Sequence, residues 1–187
     1  MKAKPTKHSG EVLLEVKSGD DKLLASAAEA GSSSMFKIDN ILVPVDFSPC
    51  SKKAVRYALA FATEHKAALT LLYVVPPPAY PVGEFGGIEY GNLLVDMRAA
   101  GEKQLTAMAN DEVGDEAPVD TVVRSGAPAR EIIEAARQLN TDIIVISTHG
   151  HTGLKHVLLG SVAEHVIRGA PCPVLVVRER EHEILAT

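Results

Sequence analysis

From Ile38 onward, apolar runs of strand length alternate with segments whose apolar residues recur at helical spacing. "NILVPVDF" (40–47) is continuously apolar through most of its length, the pattern of a strand covered on both faces. Ser48 and Pro49 then read as an N-cap and a first-turn proline. "CSKKAVRYALAFATEH" (50–65) follows, with Val55, Ala58, Leu59 and Ala62 on one helical stripe. "ALTLLYVV" (68–75) predicts a second strand, stopped by prolines. "NLLVDMRAAGEKQLTAMANDEV" (92–113) reads as a long helix, with Leu94, Met97, Leu105 and Met108 among its apolar positions. "VDTVVRSG" (119–126) is a third, weaker strand. "APAREIIEAARQLN" (127–140) is a helix opened by Pro128, turning Ile132, Ile133, Ala136 and Leu139 inward. "TDIIVIST" (141–148) is the fourth strand. "SVAEHVIRG" (161–169) predicts a short helix with Val162, Val166 and Ile167 inward, Gly169 placed to end it and Pro171 preventing continuation. "CPVLVVRE" (172–179) is the last strand.

This alternation predicts the α/β class: a doubly wound, five-stranded parallel sheet with helices on both faces. Residues 1–34 stand apart, with five lysines against five acids and the small-residue stretch "AAEAGSSS" at the end. They read as a flexible N-terminal extension in which "EVLLEV" forms a short strand or an amphipathic turn. The domain proper runs over 35–180, and 181–187 form a C-terminal tail.

Composition narrows the function classes. A chain of 187 residues suits one domain with a well-buried core, and aromatics at 4% leave aliphatic packing to supply it. Net charge is −5 with no basic block, which argues against nucleic acid as a partner. Cys50 and Cys172 are far apart and form no CxxC, so a disulfide framework is not expected and a reducing, cytoplasmic location fits. No apolar run approaches the roughly 18 residues that would span a bilayer, so no membrane partner is expected.

In open doubly wound sheets, ligands bind beyond the carboxyl ends of the strands, where the winding reverses. Two strands here end in polar residues, the first at Asp46 and Ser48, the fourth at Ser147, Thr148 and His149. If the two are neighbours, both ends face one cleft. Between the fourth strand and the last helix runs "ISTHGHTGLKHVLLGS" (146–161). Gly150 and Gly153 allow positive φ and amides turned toward a common point, an anion nest. Gly160 would let a phosphate approach the start of the helix, where unpaired N–H groups favour negative charge, and Ser161 adds a hydroxyl. The competing readings are structural. Ser161 with Glu164 fits S-x-x-E, a capping box serving only its own helix, and a glycine-rich strand-to-helix loop also occurs without a ligand.

Other chemistries fit less well. No GxxxxGK(S/T) and no GxGxxG after the first strand occurs. "THGH" (148–151) matches the short nucleotidyltransferase pattern but follows the fourth strand instead of the first. His149, His151, His156 and His165 suggest metal without the usual spacing of a zinc site. A triad drawn from Ser147, His149 and Asp46 has no G-x-S-x-G elbow.

Taken with "ILVPVDFS", the glycine loop makes the chain resemble the universal stress protein family over about 36–179. The family pattern is G-x-x-G, nine residues, then G-S or G-T. Here it reads Ser147-Thr-His-Gly150, nine residues, then Gly160-Ser161, so three of four anchors match. "GAPAREII", "LLGSVAEHVI" and "PCPVLVV" resemble the family in the same order. The resemblance implies strand order 3-2-1-4-5, the adenine nucleotide alpha hydrolase-like fold, and the ATP-binding subgroup, with ATP as ligand together with Mg. Pro44, Val45 and Asp46 would then line the adenine and ribose side, with Asp46 near ribose or a phosphate-bound metal. Val74 would lie against adenine and Ile146 would back the loop. Gly150, Gly160, Ser161 and Val162 would hold phosphates, with Ser147 and Gly153 in the same loop and His151 and Lys155 adding charge. Ser147 departs from the first glycine, and its Cβ narrows a close backbone approach.

The family also pairs through its last strand, so a homodimer through about Pro173 to Arg178 is implied. The expected role is a dimeric, ATP-dependent regulatory module of the stress response with an unidentified protein partner. It has no assigned catalytic residue and at most slow hydrolysis. The alternatives are a slow ATPase or phosphotransferase using Asp46 with Mg, and a nucleotide-free interaction dimer. "PPPAYPVGEFGGIEYGN" (76–92), with four prolines and four glycines, is either a lid over the adenine side or a surface loop.

Overall fold

The computed structural model describes residues 2–5, 12–15, 37–77, 86–148 and 159–179, with side chains in the long helix from Gly91 onward. It divides into two units, Met1–Lys37 and Ile38–Thr187. In the first, β1 (Lys2–Pro5) pairs antiparallel with β2 (Val12–Glu15), Lys2 opposite Glu15 and Pro5 opposite Val12. Of the two readings of "EVLLEV", the structure has the strand.

The second unit carries the remaining elements in chain order. These are β3 (Asn40–Val45), α1 (Pro49–His65), β4 (Ala68–Val75), α2 (Gly86–Glu112), β5 (Val119–Ser125), α3 (Pro128–Gln138), β6 (Ile143–Ser147), α4 (Ser161–Gly169) and β7 (Val174–Val177). Five of them form a parallel sheet in the order β5-β4-β3-β6-β7, the 3-2-1-4-5 winding.

β3 lies at the centre of this sheet, which explains its nearly unbroken apolar run: five of its six residues are buried. Strand alternation sends Ile41, Val43 and Val45 to one face, against Ala54, Val55 and Ala58 of α1 and Leu105 and Met108 of α2. Leu42 points to the other face, with Leu72 and Ile144, against Ile132 and Ala136 of α3 and Ala163 and Val166 of α4. Each face of the sheet is therefore coated by two of the described helices. At the amino end, the Asp142 carboxylate ties the start of β3 to the start of β6. Its Oδ2 accepts the N–H groups of Asp39 (2.8 Å) and Asn40 (2.9 Å).

Ser48 caps α1 as its sequence suggests: Oγ accepts the Ser51 N–H at 3.2 Å, and Pro49 occupies the first turn. α2 begins at Gly86, six residues before its apolar spacing would start it.

α4 departs from expectation in two ways. Its buried residues are Ala163 and Val166, whereas Ile167, expected inward, is 42% exposed. Gly169, expected to end the helix, is its last helical residue, and Ala170 is the cap. The glycine is there for space, because a Cβ at that position would lie 2.7 Å from Ile133 Cδ1 of α3. No described helix is long and apolar enough to cross a membrane.

Candidate functional site

Winding reverses at β3, whose neighbours β4 and β6 lead the chain in opposite directions across the sheet. A cleft of about 400 Å³ opens at the carboxyl ends of these three strands, on the face covered by α3 and α4. Nine residues singled out from the sequence line it. Pro44, Val45 and Asp46 come from the end of β3, and Val74 from the end of β4. Ile146 and Ser147 come from the end of β6, and Gly160, Ser161 and Val162 from the start of α4. Gly150, His151 and Gly153 lie outside the described residues, as do His149, Lys155, His156 and most of the segment 76–85.

The cleft has a mixed lining. Val74, Ile132, Ile146, Pro128, Leu72 and Ala163 make its apolar part. Asp46 and the amino end of α4 make its polar part. In that helix Gly160 is the N-cap, and the first intrahelical bond runs from Glu164 N–H to Gly160 C=O at 2.9 Å. The N–H groups of Ser161, Val162 and Ala163 precede that bond and have no partner within the helix, the ordinary condition of a helix start.

The capping-box reading of Ser161 does not hold. Ser161 is the first helical residue, not the cap, and the Glu164 carboxylate is held by Arg168 at 3.0 and 3.2 Å. Its hydroxyl is thus left at the exposed mouth of the cleft. Gly160 also has a packing role. Its φ of −67° and ψ of 148° suit any residue. A Cβ, however, would sit 2.6 Å from the Thr148 carbonyl oxygen, which already accepts the Gly160 N–H at 2.8 Å. Close approach of two backbones, not a left-handed turn, requires glycine here.

Sequence reasoning missed Tyr73, Pro128 and Ile132 as lining residues, whereas Thr148, expected among the polar strand ends, does line the cleft. Thr148 is 2% exposed, and its N–H reaches the Val177 carbonyl at 2.9 Å, anchoring the cleft wall to β7. Tyr73 was one position away from the chosen Val74. Burial pushes its phenol above the usual range, and the Asp46 charge adds to the effect. Asp46 Oδ1 accepts the Ser48 N–H at 3.1 Å across Phe47, whose φ is +66°. A bulky residue in that region costs on the order of 1–3 kcal/mol and persists only where its surroundings hold it.

Among the described residues, no three His, Cys, Asp or Glu side chains converge as a metal site. His165, once a metal candidate, places Nδ1 2.7 Å from the Ser161 carbonyl of its own helix.

The sequence model of the Universal stress protein family matches residues 37–178. The chain belongs to this family. Universal stress protein MJ0531 of Methanocaldococcus jannaschii is 39% identical over 145 residues, covering 76% of this chain and 84% of that protein. The solved structure of MJ0577, a universal stress protein of the same organism, is 30% identical with a TM-score of 0.68. That match covers 79% of this chain and all of that one. Two further solved universal stress proteins share the fold at lower identity. One is in complex with cAMP (21%, TM-score 0.52, covering 78% of this chain and 100% of that one). The other, from Archaeoglobus fulgidus, is in complex with dAMP (19%, TM-score 0.55, covering 76% and 99%). As a universal stress protein, the chain has the adenine nucleotide alpha hydrolase-like fold, and its cleft lies where that fold's winding reverses.

Proposed function

We propose that this universal stress protein binds an adenine nucleotide, ATP with Mg, in the cleft at the carboxyl edge of the sheet. We read it as a dimeric, nucleotide-dependent regulatory module of the cytoplasm. The observation that carries this reading is the pairing of an apolar lining with a helix start in one cavity. Val74, Ile132 and Ile146 offer a dry face for a purine, while the first amides of α4 and the Ser161 hydroxyl offer donors for phosphate oxygens. The cavity volume of about 400 Å³ is ordinary for a small-molecule site. The fold supports the reading, since chains of the same fold were solved with cAMP and dAMP.

Magnesium fits only as a passenger of the phosphates. Asp46 is the one acidic side chain among the described residues of the cleft, and a magnesium ion keeps most of its shell as water and phosphate oxygen. Bound, the ion would neutralise phosphate charge. The chain's own part is to seat the base, orient the phosphates at α4, and place Asp46 toward the ribose or the ion.

Heating the full chain with ATP and Mg tests the site. Ligand at about a hundred times Kd stabilises the folded state by roughly 2.7 kcal/mol, a clear rise in Tm. Val74→Glu, which puts an unpaired carboxylate in the apolar lining, is expected to remove that rise. If neither ATP nor related adenine nucleotides raise the Tm of the native chain, the reading fails.

The dimer rests on β7. It is an edge strand whose Val174, Leu175 and Val176 are only half-buried, and an unpaired apolar edge is covered by adding a second strand. Sedimentation of the native chain is expected to give twice the monomer mass, and a monomer at micromolar concentration would end this part of the reading.

A further inference from the structure

Along the described side chains of α2, Gly101 is the first that is buried. A Cβ built there would lie 2.6 Å from both Cδ1 and Cε1 of Tyr73, so the helix backbone rests directly on the phenol ring. The same ring meets Phe47, with centroids 4.6 Å apart and planes tilted by 44°. Phe47 is the residue in the left-handed conformation, and it joins Asp46, in the cleft, to Ser48, the cap of α1. The Asp46–Ser48 hydrogen bond closes across it at 3.1 Å. A phenylalanine keeps a positive φ only where something holds it, and the ring contact with Tyr73 is such a hold.

We propose that Tyr73 is a positioning residue: seated on Gly101 and packed against Phe47, it keeps the Phe47 turn in place and thereby sets the Asp46 carboxylate in the cleft. α2, none of whose described side chains lines the cleft, then determines where the cleft's acid stands. A shift of α2 along the sheet moves the ring, the turn and the carboxylate together. Its consequence for ligand affinity rests on the nucleotide reading, whereas the positioning is measured on the full chain without ligand.

The Ser48 amide reports the Asp46 bond directly, so hydrogen exchange in the native state reads the effect. Tyr73→Leu and Gly101→Ala are each expected to speed Ser48 exchange at least about tenfold while amides of the central strand β3 keep their protection. Both should also shift the Asp46 carboxyl-carbon resonance. Tyr73→Phe keeps the ring and is expected to leave Ser48 protection as in the native chain. If Gly101→Ala does not fold, the two Tyr73 variants decide alone. Unchanged Ser48 protection in Tyr73→Leu overturns the proposal. So does a loss shared equally by all core amides, which marks general destabilisation, and so does an equal loss in Tyr73→Phe, which assigns the effect to the hydroxyl. A native chain that binds no ATP leaves these readings intact and sinks only the nucleotide assignment.

Discussion

Gly160→Ala is expected to lower the free energy of unfolding by roughly 1–3 kcal/mol, the range for forcing an atom into a packed site. The argument is steric. The new Cβ would stand 2.6 Å from the Thr148 carbonyl oxygen, and that oxygen cannot swing aside. It belongs to backbone that bonds Gly160 on one side and, through the Thr148 N–H, Val177 on the other. Relief must therefore come from the start of α4 or the end of β6, both of which line the cleft. Nucleotide affinity should fall with stability.

Gly169→Ala provides the matched comparison. Its Cβ would meet Ile133 Cδ1 at 2.7 Å, a similar distance to the far end of a side chain that can rotate. In a helix, alanine is also favoured over glycine by about 1 kcal/mol, so the net change is expected to stay small. Urea denaturation of both variants measures the difference. Gly160→Ala with a native midpoint would show that the close approach is not a constraint.

Leu72→Ala is expected to cost about 2–5 kcal/mol, the range for truncating a fully buried leucine. Leu72 is 0% exposed and packs in the core between the sheet and the α3–α4 layer, while also lining the cleft. Truncation removes core contacts and enlarges the cavity. On the nucleotide reading, the thermal shift with ATP should then shrink along with Tm. Val95→Ala on α2, where the side chain is 66% exposed, is expected to stay within about 0.5 kcal/mol. A Leu72→Ala chain as stable as Val95→Ala would contradict the packing described here.

How much of this was legible beforehand differs by element. β3 declared itself because a central parallel strand is covered on both faces, and nearly every residue must then be apolar. The cap of α1 was legible because serine followed by proline acts locally, on the next three residues. α4 was not, since Val166 and Ile167 are equally apolar and sit about 100° apart around a helix. Only packing against the sheet and α3 selects Val166 and leaves Ile167 outside. Gly160 was chosen for phosphate approach, and its contact with Thr148 was not legible. Its neighbour Thr148 is twelve positions away, and nothing local signals two backbones in contact.

By itself, the sequence determined the kinds and order of elements, the parallel winding they allow, and the residue types available at the strand ends. Those follow from periodicity and capping, which act over a few residues. Tertiary structure decided that Asp46, Val74, Ser147 and Ser161 meet at one cleft, and that Tyr73 and Gly101 stand behind Phe47. It also decided which side of α4 is dry. These depend on strand order and helix rotation, set by burying apolar surface between segments far apart in the chain, and no window of neighbouring residues contains that information.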